Sequence, residues 1–241
     1  MSSEKRRPET TGKSEQMRMM FNRIAPSYDR LNHLLSFQID RLWRRRAVRH
    51  VADAAPASVL DLATGTGDLA IELARRIPTA TVYGIDLSEE MLAVARQKIV
   101  RAALSDRVVV TEGDAEQLSV ESERFDAVTV GFGVRNFAHL EQCLAEISRV
   151  LRKGGMVMIL ELSTPKNRLI RALYKFYSFW FMPWIGGLLS GERRAYRYLP
   201  ASVHAFHRPE RVVELLQQAG FKACTAYSQT FGIAHIYTAI R

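Results

Sequence analysis

The chain has 241 residues, 47% hydrophobic and 24% charged, with 14 Gly and 8 Pro, which excludes a disordered or collagen-like polymer and favours one globular domain. A chain this long buries roughly 70% of its unfolded surface, so its core needs neither disulfides nor a structural metal. The net charge of +9 divides unevenly: residues 1–50 carry +7, 51–165 carry −6, 166–208 carry +7 and 209–241 carry +1. An anionic partner is therefore expected to meet the basic flanks and to be repelled by the acidic centre. Cys143 and Cys224 match no metal-binding spacing, no His/carboxylate cluster suggests a metal, and polar residues 1–16 do not read as a signal peptide. A reducing, cytoplasmic setting is the expectation.

Residues 1–14 lack apolar content and read as a flexible tail, with a single domain expected over 15–241. A helical cover is predicted over 15–54, from the apolar spacing of Met17, Met20, Phe21 and Ile24 through the basic amphipathic stretch Arg41 to Ala52. From residue 57 short apolar runs alternate with amphipathic helices. The runs are 58–62, 81–85, 108–112, 125–130 and 156–160, and the helices are 69–76, 89–102 and 140–151. This alternation predicts an α/β fold, a doubly wound Rossmann-like parallel sheet with helices on both faces, as the core at 57–165. Lys153-Gly154-Gly155 reads as a helix stop before the fifth strand. The alternation ceases over 166–208, an aromatic and basic insertion. A helix at 209–218 and two apolar runs, 222–227 and 233–240, then predict a C-terminal antiparallel hairpin that completes seven strands.

The first run enters Asp61-Leu-Ala-Thr-Gly65-Thr66-Gly67-Asp, whose glycines open the following helix. Glycine lets backbone N–H groups approach a ligand, and the helix N-terminus behind them is a positive dipole end. Gly65-x-Gly67-x-x-Ala70 also fits the loose dinucleotide fingerprint, with Asp86 positioned for a ribose hydroxyl. The loop alone thus indicates a nucleoside-bearing cofactor without choosing one. Asp61 decides: a carboxylate four residues before Gly65 repels a pyrophosphate and suits the ammonium group of S-adenosylmethionine. Asp86 and Asp114 follow the second and third strands, where open α/β sheets bind ligands. Asp114 can accept from an adenine amino group while Ala115 packs beside the ring.

These segments resemble the motifs of class I S-adenosylmethionine-dependent methyltransferases: DLATGTGD, GIDLSEEML, GDAEQL and RVLRKGGMVMILE. FNRIAPSYDRLNHLLSFQIDRLWR, VGFGVRNF, LELSTP and the region of YRYLPASV more narrowly resemble the UbiE/MenG quinone C-methyltransferases, from about residue 17 to the C-terminus. The resemblance implies methylation of a ring carbon of a polyprenylated quinol: demethylmenaquinol, the ubiquinone precursor, or both. It implies cofactor contacts at Thr66, Asp86, Asp114 and Ala115. It also places Gly131 where ubiquinone-type members often have Ser, a departure that favours a menaquinone assignment.

Methyl transfer to a quinol carbon needs alignment and an ionised ring oxygen. A free phenol has a pKa of about 10, so a cation beside it is useful. Arg135, in the GVRNF signature with Asn136 beside it, is the expected catalytic residue, with a salt-bridged loop arginine as the bland alternative. Tyr28 either closes over the sulfonium or is a core aromatic with Asp29 capping the next helix. His204 and His207 are either bases or solvated loop residues. In 168–199 the aromatics Phe176, Tyr177, Phe179, Trp180, Phe181 and Trp184 fall within nine residues, and Arg171, Lys175, Pro183 and Gly186-Gly187 interrupt any span. Membrane-surface contact through 166–200, on the inner face of the cytoplasmic membrane, is expected. Packing on the sheet edge and a homodimer interface remain the alternatives. A nucleic-acid methyltransferase would show an Asn/Asp-Pro-Pro-aromatic motif where this chain reads GVRNF, so no nucleic-acid partner is expected; another small-molecule methyltransferase is the other rival. A nicotinamide dehydrogenase is disfavoured by Asp61, and a non-catalytic cofactor-binding scaffold by Arg135.

Overall fold

The computed structural model describes residues 12–181 and 193–241. Trp184, Pro183, Gly186 and Gly187 of the aromatic insertion, and the tail through residue 11, lie outside the described residues. Seven strands form one sheet, β1 (Ser58–Leu62), β2 (Thr81–Asp86), β3 (Val108–Glu112), β4 (Phe125–Gly131), β5 (Leu151–Leu162), β6 (Lys222–Gln229) and β7 (Ala234–Ile240). Their order is β3-β2-β1-β4-β5-β7-β6, parallel from β3 to β5, with β7 antiparallel to both neighbours. The order reverses between β1 and β4, so their C-terminal ends open a crevice where the chain supplies Asp61 and Gly131.

Alternation along the strands sends side chains to two cores. Val59 joins α3 (Ile39–Ala52), α4 (Asp68–Arg76) and α5 (Glu89–Arg101) on one face, where Trp43, Val48, Leu73 and Leu92 are buried. Leu60 and Leu62 face α6 (Leu140–Val150) and α9 (Pro209–Gln218), against Leu144, Ile147 and Leu216. A third cluster lies above the crevice, where α1 (Gly12–Ile24) and α2 (Tyr28–Leu35) bury Ile24, Leu31 and Leu35 with Met91 of α5. The insertion adds α7 (Arg168–Phe176), a wide turn at Tyr177–Phe181, and α8 (Arg193–Ala205).

Two expectations need correction. The first described helix starts at Gly12 and buries Ser14, so residues 12–14 are helical where a flexible tail is expected. Lys153-Gly154-Gly155 does not stop a helix, because β5 follows α6 directly from Leu151. Gly154 (φ +79°) lies instead in an irregularity of the β4–β5 register, between the Phe125–Leu151 and Ala127–Met156 pairs. A second glycine, Gly67, starts α4 at φ +80°, and a Cβ there would lie 3.1 Å from the Ala95 Cβ. That position holds the loop close to α5 as well as left-handed.

Candidate active site

Two adjoining cavities occupy the crevice and share Tyr28, Gly65 and Gly131 in their walls. The smaller, about 80 Å³, lies over the ends of β2 and β3, lined by Asp86, Gly113, Asp114 and Ala115 and roofed by Met17 and Phe21 of α1. The larger, about 420 Å³, extends between α2, α3 and α7. Its walls are mostly apolar, including Ile24, Trp43, Phe132, Ile170 and Tyr174, and it also takes in Asp61, Thr66 and Arg135.

Asp86 accepts hydrogen bonds from the Gly65 N–H (2.8 Å) and the Ser88 N–H (2.9 Å), linking the glycine loop to the end of β2. Burial raises its pKa, partly offset by those N–H donors. Asp114 accepts from the Glu116 N–H (2.8 Å), and burial raises its pKa too. Ala115 is buried beside it. Two strand-end carboxylates therefore line the smaller cavity as acceptors, suited to hydroxyl and amino hydrogens rather than phosphate. Asp61 is fully buried and accepts from the Thr64 and Thr129 hydroxyls, each at 2.6 Å. Burial pushes its pKa up to about 6 against those hydrogen bonds. A cationic ligand group in the larger cavity would relieve that cost. Thr66 is buried and donates to Asp29, which also pairs with Lys98. The Thr66 hydroxyl is thus turned toward the cover, and Asp29 ties α2 to the loop instead of capping a helix. At Gly131 a Cβ would lie 2.9 Å from Leu69 Cδ2, so a serine there requires Leu69 to move.

Arg135 follows β4, with only 6% of its side chain exposed. Its Nη1 donates to Glu161 Oε1 (2.9 Å) and to the Phe132 carbonyl, and its backbone N–H donates to Glu161 Oε2 (3.2 Å). Glu161, fully buried on β5, thereby fixes the guanidinium. Burial acts against the Arg135 charge and is more than offset by Glu161 together with Tyr28 and Tyr198, so the arginine stays cationic. Its Nε is buried and has no partner among the described residues. Burial raises the pKa of Tyr28, against the fields of Arg135 and Arg44. The Asn136 side chain accepts from the Tyr198 hydroxyl (3.0 Å). Burial pushes Tyr174 up to about 12, opposed by Arg135.

The structure brings Asp61, Thr66, Gly131, Tyr28 and Arg135 to one cavity wall and Asp86, Asp114 and Ala115 to the next. His204 and His207 line neither. His33 lines the larger cavity, with Nδ1 2.7 Å from Asp40 and Nε2 3.5 Å from Asp68. Arg44 joins both carboxylates. Sequence reasoning missed this set; the one available signal was His33 and Asp40 at opposite ends of HLLSFQID, which a helix-turn-helix folds together.

A doubly wound sheet with one antiparallel hairpin, carrying carboxylates at successive strand ends around a glycine loop, defines a class I S-adenosylmethionine-dependent methyltransferase. The ubiE/COQ5 methyltransferase family profile matches residues 9–241, and the chain belongs to that family. It is 44% identical to the ubiquinone/menaquinone biosynthesis C-methyltransferase UbiE of Geobacter sulfurreducens, over 95% of this chain and 89% of that protein. It is 46% identical to the demethylmenaquinone methyltransferase of Thermus thermophilus, over 92% of this chain and all of that protein. Among solved structures, the [4+2]-cyclase SpnF superposes with a TM-score of 0.67 at 18% identity, covering 95% of this chain and 96% of that one. A possible histamine N-methyltransferase from Thermotoga maritima gives 0.65 at 19%, covering 93% and 99%. Those likenesses show the fold alone.

Proposed function

We propose that this chain transfers a methyl group from S-adenosylmethionine to a ring carbon of demethylmenaquinol, with the equivalent ubiquinone precursor as a second substrate of the same chemistry. The observation that carries this reading is the larger cavity, a mostly apolar chamber of about 420 Å³ adjoining the glycine loop, with the buried, pre-oriented Arg135 in its wall. Neither a nucleobase nor a peptide needs such a chamber; a quinol ring with an isoprenoid chain does. The names of the relatives from Geobacter sulfurreducens and Thermus thermophilus support the same substrate class.

When bound, S-adenosylmethionine supplies a methyl group on a positively charged sulfur that is already a strong electrophile. In this reading Asp86 accepts from a ribose hydroxyl, Asp114 accepts from an adenine amino group, and Asp61 faces an ammonium group. Arg135, held from behind by Glu161, donates to a quinol oxygen and favours its ionised form, which raises electron density at the adjacent ring carbon. The roof of Met17, Phe21 and Tyr28 excludes water from the transfer. No helix among the described residues is long and apolar enough to cross a membrane. Peripheral attachment to the leaflet that holds such quinols is part of this reading. The test is mass spectrometry of quinones in a host lacking its own quinone C-methyltransferase. Restored menaquinone with the wild type, and only demethylmenaquinone with Arg135→Met at equal abundance, is expected; demethylmenaquinone alone in both would overturn the reading.

A further inference from the structure

The mouth of the larger cavity is formed by two elements far apart in sequence. Phe37, at the corner between α2 and α3, and Leu173 of α7 both line the cavity and are 69% and 62% exposed, which puts both at its rim. The elements are joined there: the Tyr177 hydroxyl donates to the Leu35 carbonyl (2.6 Å), and the Phe37 and Tyr177 rings lie 5.9 Å apart. Phe37 is held outward by an unusual backbone. Phe37 and Gln38 are consecutive non-glycine residues in the left-handed region, at φ +51° and +62°. Non-glycine residues hold that region only where the surrounding structure over-determines it.

The apolar surface continues outward on both sides. Leu34 is exposed one turn before the corner. On α7 and its continuation, Leu169, Leu173, Phe176 and Trp180 follow helical spacing on one face, the last 74% exposed. Basic residues accompany both elements: Arg30 and Arg41 beside the corner, Arg168, Arg171 and Lys175 on α7. None of these five forms an ion pair with a carboxylate among the described residues. Asp40, the acid nearest the corner, is buried against Arg44. Large exposed apolar patches on a monomer mark an interaction surface.

We propose that the α2–α3 corner and α7 together form a docking face for an anionic lipid bilayer, applied so that the cavity opens directly into the lipid. Charge complementarity selects the occupant: unpaired basic groups border apolar side chains, as in interfacial membrane-binding elements. Continuity with the cavity supplies the purpose, because a chain leaving the rim passes between Phe37 and Leu173 into hydrocarbon without crossing water. The proposal rests on the quinol reading for that purpose, and on the surface alone for the binding.

The test is flotation of the full chain with vesicles of phosphatidylcholine, with and without phosphatidylglycerol. One variant carries Leu34→Ser, Leu169→Ser, Phe176→Ser and Trp180→Ser, and a second carries Arg41→Glu and Arg168→Glu. None of these six side chains lines the cavity. The wild type is expected to float with anionic vesicles and be released by salt. The serine variant is expected to lose about tenfold or more in partitioning, from lost apolar burial. The glutamate variant is expected to lose roughly fivefold per removed cation. Both keep wild-type thermal midpoints and wild-type turnover on a short-chain, water-soluble quinol. Equal binding to neutral vesicles, unchanged binding by the serine variant, or a dimer in solution that the serine variant dissolves would each overturn the proposal. Absent turnover on the soluble quinol with intact anionic binding would overturn the substrate reading and leave the docking face standing.

Discussion

Replacing Arg135 tests two properties of one ion pair. In Arg135→Ala the Glu161 carboxylate loses its 2.9 Å partner while fully buried. Removing one member of a buried pair costs about 3–5 kcal/mol, a large part of the roughly 5–15 kcal/mol that stabilises an ordinary domain. At about 2–4 °C per kcal/mol for a chain of this size, the thermal midpoint falls by roughly 6–20 °C. Adding Glu161→Gln removes the stranded charge, so the double variant regains most of the midpoint. Turnover does not return, since loss of one oriented charge stabiliser costs about 10²–10³ in rate whatever stands behind it. Differential scanning calorimetry, with a radiolabelled methyl-transfer assay, measures both. A single variant as stable as the wild type, or a double variant with restored turnover, would refute the reasoning.

Asp61 titrates at about 6 in the folded chain against about 3.9 unfolded, so its contribution to stability is present below about pH 4 and lost by pH 6. The urea midpoint of the ligand-free protein should carry this decline, and Asp61→Asn should lack it. Asp86→Ala is expected to weaken S-adenosylmethionine binding by calorimetry, while Arg135→Met binds it normally; equal losses would sink the division of roles. Gly131→Ser should cost about 1–3 kcal/mol by crowding Leu69, and Gly131→Ser with Leu69→Ala should be more stable than the sum of the single changes. Lys98→Met cuts the ties of α5 to Asp29 and Asp68, so hydrogen exchange of α2 should quicken.

The sheet and its ligand edge were legible because strand and helix periodicities are local. Ser58–Leu62 and Val108–Glu112 coincide with their apolar runs. Lys153-Gly154-Gly155 misled because a glycine pair marks a helix end or a bulge equally well, and only the pairing of β5 with β4 decides. Arg135 was visible through its signature, but the depth of its pairing was not, since Glu161 lies 26 residues away on another strand. The His33–Asp40–Arg44–Asp68 network was legible only as the nearness of its first three members in sequence, because Asp68 joins them from the start of α4 through tertiary contacts. Phe37 gave no signal either: an aromatic in an apolar helix pattern reads as core, and only the left-handed corner turns it outward.

The most direct measurement incubates the purified chain with S-adenosylmethionine carrying a ¹³C methyl group and a short-chain demethylmenaquinol, followed by NMR of the product. The account predicts a labelled methyl bonded to a ring carbon and none with Arg135→Met, although that variant still binds the cofactor. A labelled methyl on a quinol oxygen, or no transfer by a wild-type protein that binds cofactor, would contradict it.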